Sequence, residues 1–152
     1  MQFIVSMFLW CLFTPLVFAL TPSSGFLKQQ TFGSAVNFHH AKDKVLLTIL
    51  KTDIKFADLS SENIQEMDEL IKVKKEYGKV FGFKNWKVDQ KKVLNEKNER
   101  ALLISGNYKN SSNKTVNFLE VYWANHNKSG QFLLTSEMRE ITIDSYKKYL
   151  IP

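Results

Sequence analysis

"ALLISGNYKNSSNKTVNFLEVYWANHNKSGQFLLTS", residues Ala101 to Ser136, decides the fold. Ala101–Tyr108, Val116–Asn125 and Phe132–Thr135 read as strands, separated by Asn110-Ser111-Ser112-Asn113 and Asn127-Lys128-Ser129-Gly130, both of turn composition. Connectors this short cannot carry a crossover between parallel strands, so the neighbours must be mostly antiparallel. A further strand precedes them, where Trp86 and Val88 alternate with Lys87 and Asp89 ahead of the turn Asn95-Glu96-Lys97-Asn98. In the third strand of this meander Leu119, Val121 and Trp123 share one face while Phe118 and Tyr122 share the other. Both faces need cover, which marks a central strand.

Upstream, a helix is expected from about Ser61 to Tyr77 (SENIQEMDELIKVKKEY). Ser60 can cap it, Leu59 can staple onto Ile64, Glu62 suits the first turn, and Lys74, Lys75 and Lys79 suit the last. Gly78 is expected to end it. Ile64, Met67, Leu70, Ile71 and Tyr77 form one apolar stripe, with Glu62, Glu66, Asp68, Lys72 and Lys75 outside it, so the helix should lie on the sheet and cover one face. Earlier still, Val36–Ala41 and Val45–Lys51 alternate around Lys42-Asp43 as a hairpin, which Ile54 and Phe56 would extend. A short C-terminal helix from about Ser145 to Ile151, apolar at Tyr146, Tyr149 and Leu150, would cover part of the other face. The expected class is α+β: an antiparallel sheet of about six strands, ordered hairpin, helix, four-stranded meander, short C-terminal helix, with the helix packed on the sheet.

The first residues carry an address. Phe3 to Leu20 is uncharged and is broken by Thr21-Pro22-Ser23-Ser24-Gly25. Val17 and Ala19 stand at −3 and −1 of a cut before Leu20, so residues 1–19 read as a signal peptide, with an uncleaved anchor as the alternative. Trp10 before Cys11 excludes lipidation, which needs a small residue there. Residues 20–152 then form a single cysteine-free domain, which must be held by packing alone.

Of the 21 basic residues, against 15 acidic ones, only Arg100 and Arg139 are arginine, and the formal charge is +6. Scattered lysine is ordinary solvated surface and argues against nucleic-acid reading, which favours the guanidinium fork. The lysine and asparagine richness also points to an AT-rich bacterial genome. Membrane contact is expected only through the first segment, if it is uncleaved.

Little chemistry stands out. His39 and His40 are adjacent in a strand and point to opposite faces, His126 lies apart, and no metal or cofactor site is expected. There is no G-x-S-x-G elbow, H-E-x-x-H pair or Gly-rich phosphate loop. Glu120, between Phe118 and Tyr122 on the central strand, is the one suspicious acid: burial obliges it to find a partner, a lysine or arginine from a neighbouring strand or a tyrosine hydroxyl, or to act as a general acid. The aromatic run Tyr77, Phe81, Phe83 and Trp86 around YGKVFGF reads as core under the sheet, with a ligand cleft as the alternative. Asn110, Asn113 and Asn127 head N-x-S/T patterns in hairpin loops, where asparagine also serves turn geometry; they become glycan sites only in a host that glycosylates exported chains.

The order of elements resembles a family. An export signal, an early hairpin (SAVNFHHAKDKVLLTIL), a helix, a four-stranded meander ending in FLLTSE and a final helix together resemble the PsbP-like fold, named for an extrinsic subunit of photosystem II. The resemblance covers residues 30 to 152 and implies a non-enzymatic accessory or assembly role, with no functional residue carried over. The functional expectation is a periplasmic or secreted protein that binds an envelope protein or a small ligand. The rivals are a small hydrolase-like enzyme using Glu120 beside the aromatic cleft, and a secreted inhibitor or effector.

Overall fold

The structure is a computed structural model and describes residues 20–33, 35–50, 52, 54–59 and 66–151. The expected signal peptide, the helix cap at Ser60 and the positions of Glu62 and Ile64 lie outside the described residues.

The strands are β1 (Thr21–Pro22), β2 (Phe26–Phe32), β3 (Ala35–His40), β4 (Val45–Leu50), β5 (Lys84–Asn95), β6 (Glu99–Lys109), β7 (Thr115–Asn125), β8 (Ser129–Ser136) and β9 (Leu150–Ile151). Helix α1 spans Glu66–Val80 and α2 is one turn, Tyr146–Tyr149. Seven strands form one antiparallel sheet in the order β2-β3-β4-β8-β7-β6-β5, and β1 pairs with β9 in a separate ladder. The antiparallel α+β class stands, but the sheet has seven strands rather than about six. The addition is β2, FLKQQTF, an edge strand whose Lys28-Gln29-Gln30 run gives no period-two signal and whose pairing slips between Lys28 and Thr31.

The expected hairpin is β3–β4, and β4 joins the meander through β8, with Leu47 opposite Leu134. Ile54 and Phe56 do not extend β4; Phe56–Leu59 instead forms a 3₁₀ turn that buries Leu59. At the far edge, β5 is bulged twice, and the backbone of Lys87 comes so close to Gly106 that a Cβ there would lie 1.9 Å from the Lys87 carbonyl oxygen. Only glycine fits that crossing.

Burial separates the strands into two kinds. β6 and β7 are buried on both faces through most of their length, as expected of Val116–Asn125. β4 and β8 alternate between buried and partly or fully exposed positions. One face of β7 (Leu119, Val121, Trp123) belongs to a core with Leu47, Phe132 and Leu134, closed by Leu20, Ile141, Ile143, Tyr149 and Leu150. The other (Phe118, Tyr122) packs with Leu102, Ile104, Leu59 and, from α1, Ile71.

The C-terminal segment thus covers the Leu119 face, but not as a helix from Ser145 to Ile151. It is a 3₁₀ turn, one α turn and then β9, because Leu150 and Ile151 pair with Pro22 and Thr21. Asp43, buried in the β3–β4 turn, pins this segment: Lys148 Nζ lies 2.6 Å from Oδ2, Arg139 Nη2 3.3 Å from Oδ1, and the Tyr149 hydroxyl donates to Oδ2 at 3.3 Å.

The helix differs from its expectation in two ways. It runs through Gly78 to Val80, and Gly82, at φ 75°, supplies the left-handed residue after it. The Phe83 N–H donates to the Gly78 carbonyl at 2.8 Å and the Gly82 N–H to that of Lys79 at 3.0 Å, the paired bonds of a Schellman ending. Two glycines four residues apart satisfy the same sequence rule, and only Gly82 takes the left-handed conformation. The apolar stripe is also displaced: Ile71 is partly buried against the core, Tyr77 is 64 % exposed beside exposed Val73, Val80 and Phe81, and the side chains of Met67 and Leu70 lie outside the described residues. Lys72 and Lys75 are exposed as expected.

Candidate functional site

The site forms where α1 leans over the β5–β7 part of the sheet. Positions 71, 74 and 78 fall on one side of a helix, so Ile71, Lys74 and Gly78 turn inward together. Gly78 leaves room for the Phe83 ring, 3.5 Å from where its Cβ would be. Lys74, between Ile71 and Gly78, is only partly exposed. Its ammonium is directed to Glu120 on β7.

Glu120 is 4 % exposed, and its Oε1 accepts three donors: the Lys74 ammonium, the Tyr122 hydroxyl at 2.8 Å and the Gln131 side-chain amide at 2.5 Å. Lys74 also lies 5.3 Å from the centre of the Tyr122 ring. Burial above all, and then the neighbouring Glu120 charge, pushes the Tyr122 phenol well above its ordinary pKa, so it stays protonated and donates. The expected tyrosine hydroxyl is therefore a partner of Glu120. The expected cation comes from the helix above the sheet rather than from a neighbouring strand.

Beside this network is a cleft of about 190 Å³, with Tyr77, Phe81, Phe83, Trp86, Tyr108, Phe118 and Leu133 as walls and Lys74 and Glu120 as its polar end. Within the walls Trp86 stacks on Phe118 at 5.2 Å and Phe83 on Tyr108 at 4.4 Å between ring centres. The aromatic run thus divides. Trp86 is partly buried against the Phe118 cluster, while Phe81 and Tyr77 are 68 % and 64 % exposed at the cleft. Sequence reasoning found the run and Glu120 but missed Lys74, Tyr108, Gln131 and Leu133. A lysine three residues from Ile71 and three from Tyr77, inside the apolar stripe, was the one legible signal for Lys74.

The histidines do not converge. His39 lies beside Leu46 and Thr135, His40 meets Phe26 and Tyr149 edge-on at 5.1 and 6.2 Å between ring centres, and His126 packs on Phe56 at 4.3 Å. Among the described residues no three His, Cys, Asp or Glu side chains group as a metal site, and no helix is long and apolar enough to cross a membrane.

The loop asparagines do different things. Asn110 Oδ1 accepts from the Ser112 and Lys114 N–H groups at 3.0 Å and its amide donates to Glu137 at 2.9 Å, while Asn113 takes the left-handed φ of 62°. In the next loop it is Asn125, not Asn127, whose side chain closes the turn, accepting from the Asn127 and Lys128 N–H groups at 2.9 and 2.7 Å. Asn127 is exposed.

No protein-family model matches the chain, and no curated protein matches it. The cleft and its polar end are therefore read on their own chemistry.

Proposed function

We propose that this chain is an exported, non-enzymatic binding or accessory protein of the envelope that holds a small ligand in the aromatic cleft. The observation that carries the reading is the state of Glu120. Its buried oxygen already accepts three donors, so the acid at the end of the cleft is held as a fixed acceptor rather than poised to deliver a proton. Apolar walls with few convergent polar groups are the ordinary make-up of a ligand site. The PsbP-like resemblance implies the same accessory role. Export rests on the uncharged run that closes on Val17-Phe18-Ala19, and Leu20, the residue after the proposed cut, is already a core residue at 2 % exposure.

Nitrogen–proton NMR of the purified chain, titrated with the small-molecule fraction of an envelope extract, tests the binding reading. Shifts at the Trp86 indole, Gly78 and Phe83 with Trp123 unmoved are expected. An absence of shifts around the cleft overturns it. The enzyme reading is the one rival with a residue to support it, since Glu120 does line the cleft; it requires turnover of an extract component that Glu120→Gln abolishes. N-terminal sequencing of the exported protein should start at or near Leu20, and an intact Met1 in the membrane fraction would replace the signal peptide with an anchor.

A further inference from the structure

We propose that the cleft selects a single flat apolar ring carrying a carboxylate, with the Lys74 ammonium as the group that reads the anion; the proposal rests on the binding reading above. Size sets the first limit. A cavity of about 150 Å³ takes a benzene ring, so the space of about 190 Å³ between the walls suits one ring and a short substituent. Shape sets the second, because Phe83, Trp86 and Phe118 present aromatic surfaces that a flat ring can meet face-on or edge-on.

The sign of the charge follows from the polar end. Glu120 Oε1 already has donors from Lys74, Tyr122 and Gln131, and an incoming cation would meet the Lys74 ammonium beside it. Lys74 differs. An ammonium carries three donors, its side chain keeps 28 % of its surface exposed, and it lines the cleft. An anionic oxygen entering between the rings completes its shell, with the desolvation already offset by the Glu120 pairing.

The test uses the full mature chain and three single-ring probes that differ mainly in the polar group, phenylacetate, benzylamine and benzyl alcohol, followed by NMR at the Trp86 indole and the Gly78 and Phe83 amides. Phenylacetate should bind with a Kd on the order of 1 mM, as befits so small a ligand, and at least about tenfold more tightly than the other two. Because Lys74 also neutralises Glu120, the informative variant is the double change Lys74→Gln with Glu120→Gln, which keeps hydrogen-bonding groups and removes both charges. It should abolish the preference for the acid, bringing the phenylacetate Kd to within about threefold of that of benzyl alcohol. Glu120→Gln alone should tighten phenylacetate several-fold by releasing Lys74 from its competitor, an effect a merely structural lysine would not produce. Tighter binding of benzylamine or benzyl alcohol, or an acid preference that survives the double change, overturns the ligand class and leaves the cleft as a binding site. No shift with any probe also overturns the ligand class, while the extract titration above decides separately whether the cleft binds at all.

Discussion

The two faces of β7 are built from the same alternating strand and are finished in opposite ways. Leu119 and Val121 are fully buried and Trp123 nearly so, and chain on both sides of the fold closes over them: Leu20 from one end, Ile143, Tyr149 and Leu150 from the other. On the opposite face Phe118, Glu120 and Tyr122 are nearly as deeply buried, yet the cover is α1 together with the Phe56–Leu59 turn, which leaves a cleft, and the helix delivers a lysine. Burial alone therefore does not distinguish a sealed face from one that keeps a cleft. The difference is a charged group placed where leucine would serve stability better.

The comparison can be broken at four points. The largest effect is expected at Leu119, where truncation to alanine opens a hole in the closed face. Leu119→Ala should cost about 2–5 kcal/mol in chemical denaturation, while Leu133→Ala, beside the cleft and only partly buried, should cost less. Equal losses would show the two faces to be packed alike.

Lys74→Ala comes next. It leaves Glu120 buried with its charge uncompensated, which costs about 3–5 kcal/mol for a fully buried pair. Since Lys74 is 28 % exposed, water recovers part of that and roughly 2–3 kcal/mol is expected. A Lys74→Ala chain as stable as the parent would mean that Glu120 is not held by the helix.

The Asp43 cluster sharpens the closed face through pH. Its hydrogen bond with Lys148, aided by the Arg139 charge, holds the Asp43 carboxyl below its ordinary value of 3.8 despite burial. A carboxyl with a lowered folded pKa contributes stability that is complete above the unfolded value and is lost as the pH falls through the folded one. The unfolding midpoint should therefore drop below about pH 4, and Asp43→Asn should be less stable at neutral pH with a shallower acid limb. An unchanged acid limb would free the C-terminal segment from this anchor.

The smallest effect is expected at Lys72, exposed on α1. Lys72→Ala should stay within about 0.5 kcal/mol of the parent. A larger loss would put the wrong side of α1 against the sheet.

The aromatic walls and the acid were legible in residues 77–86 and 118–122, since strand alternation states which side chains share a face. Their convergence was not. Trp86, Tyr108 and Phe118 meet because β5, β6 and β7 pair in one register, and that register depends on Gly106 admitting the bulged backbone of Lys87. The place of Lys74 inside the apolar stripe signals an inward lysine, but does not say that Lys74, rather than Tyr77, is the residue that reaches the sheet. A buried carboxylate with Ile104 and Leu133 as its cross-strand neighbours makes that choice, because the cost of leaving it unpaired exceeds the cost of burying part of a lysine.

By itself the sequence determined the antiparallel meander, the early hairpin, the helix between them and the two-sided burial of Val116–Asn125, all of which follow from side-chain period and turn residues within a few positions. Tertiary structure alone decided the pairing of β4 with β8, the edge strand β2, the β1–β9 clasp and the helix ending at Gly82. Each of these depends on a partner distant in the chain or on a choice between locally equivalent residues. Backbone groups at a strand edge bond to whichever edge the fold brings beside them, and nothing in their own side chains specifies which edge that will be.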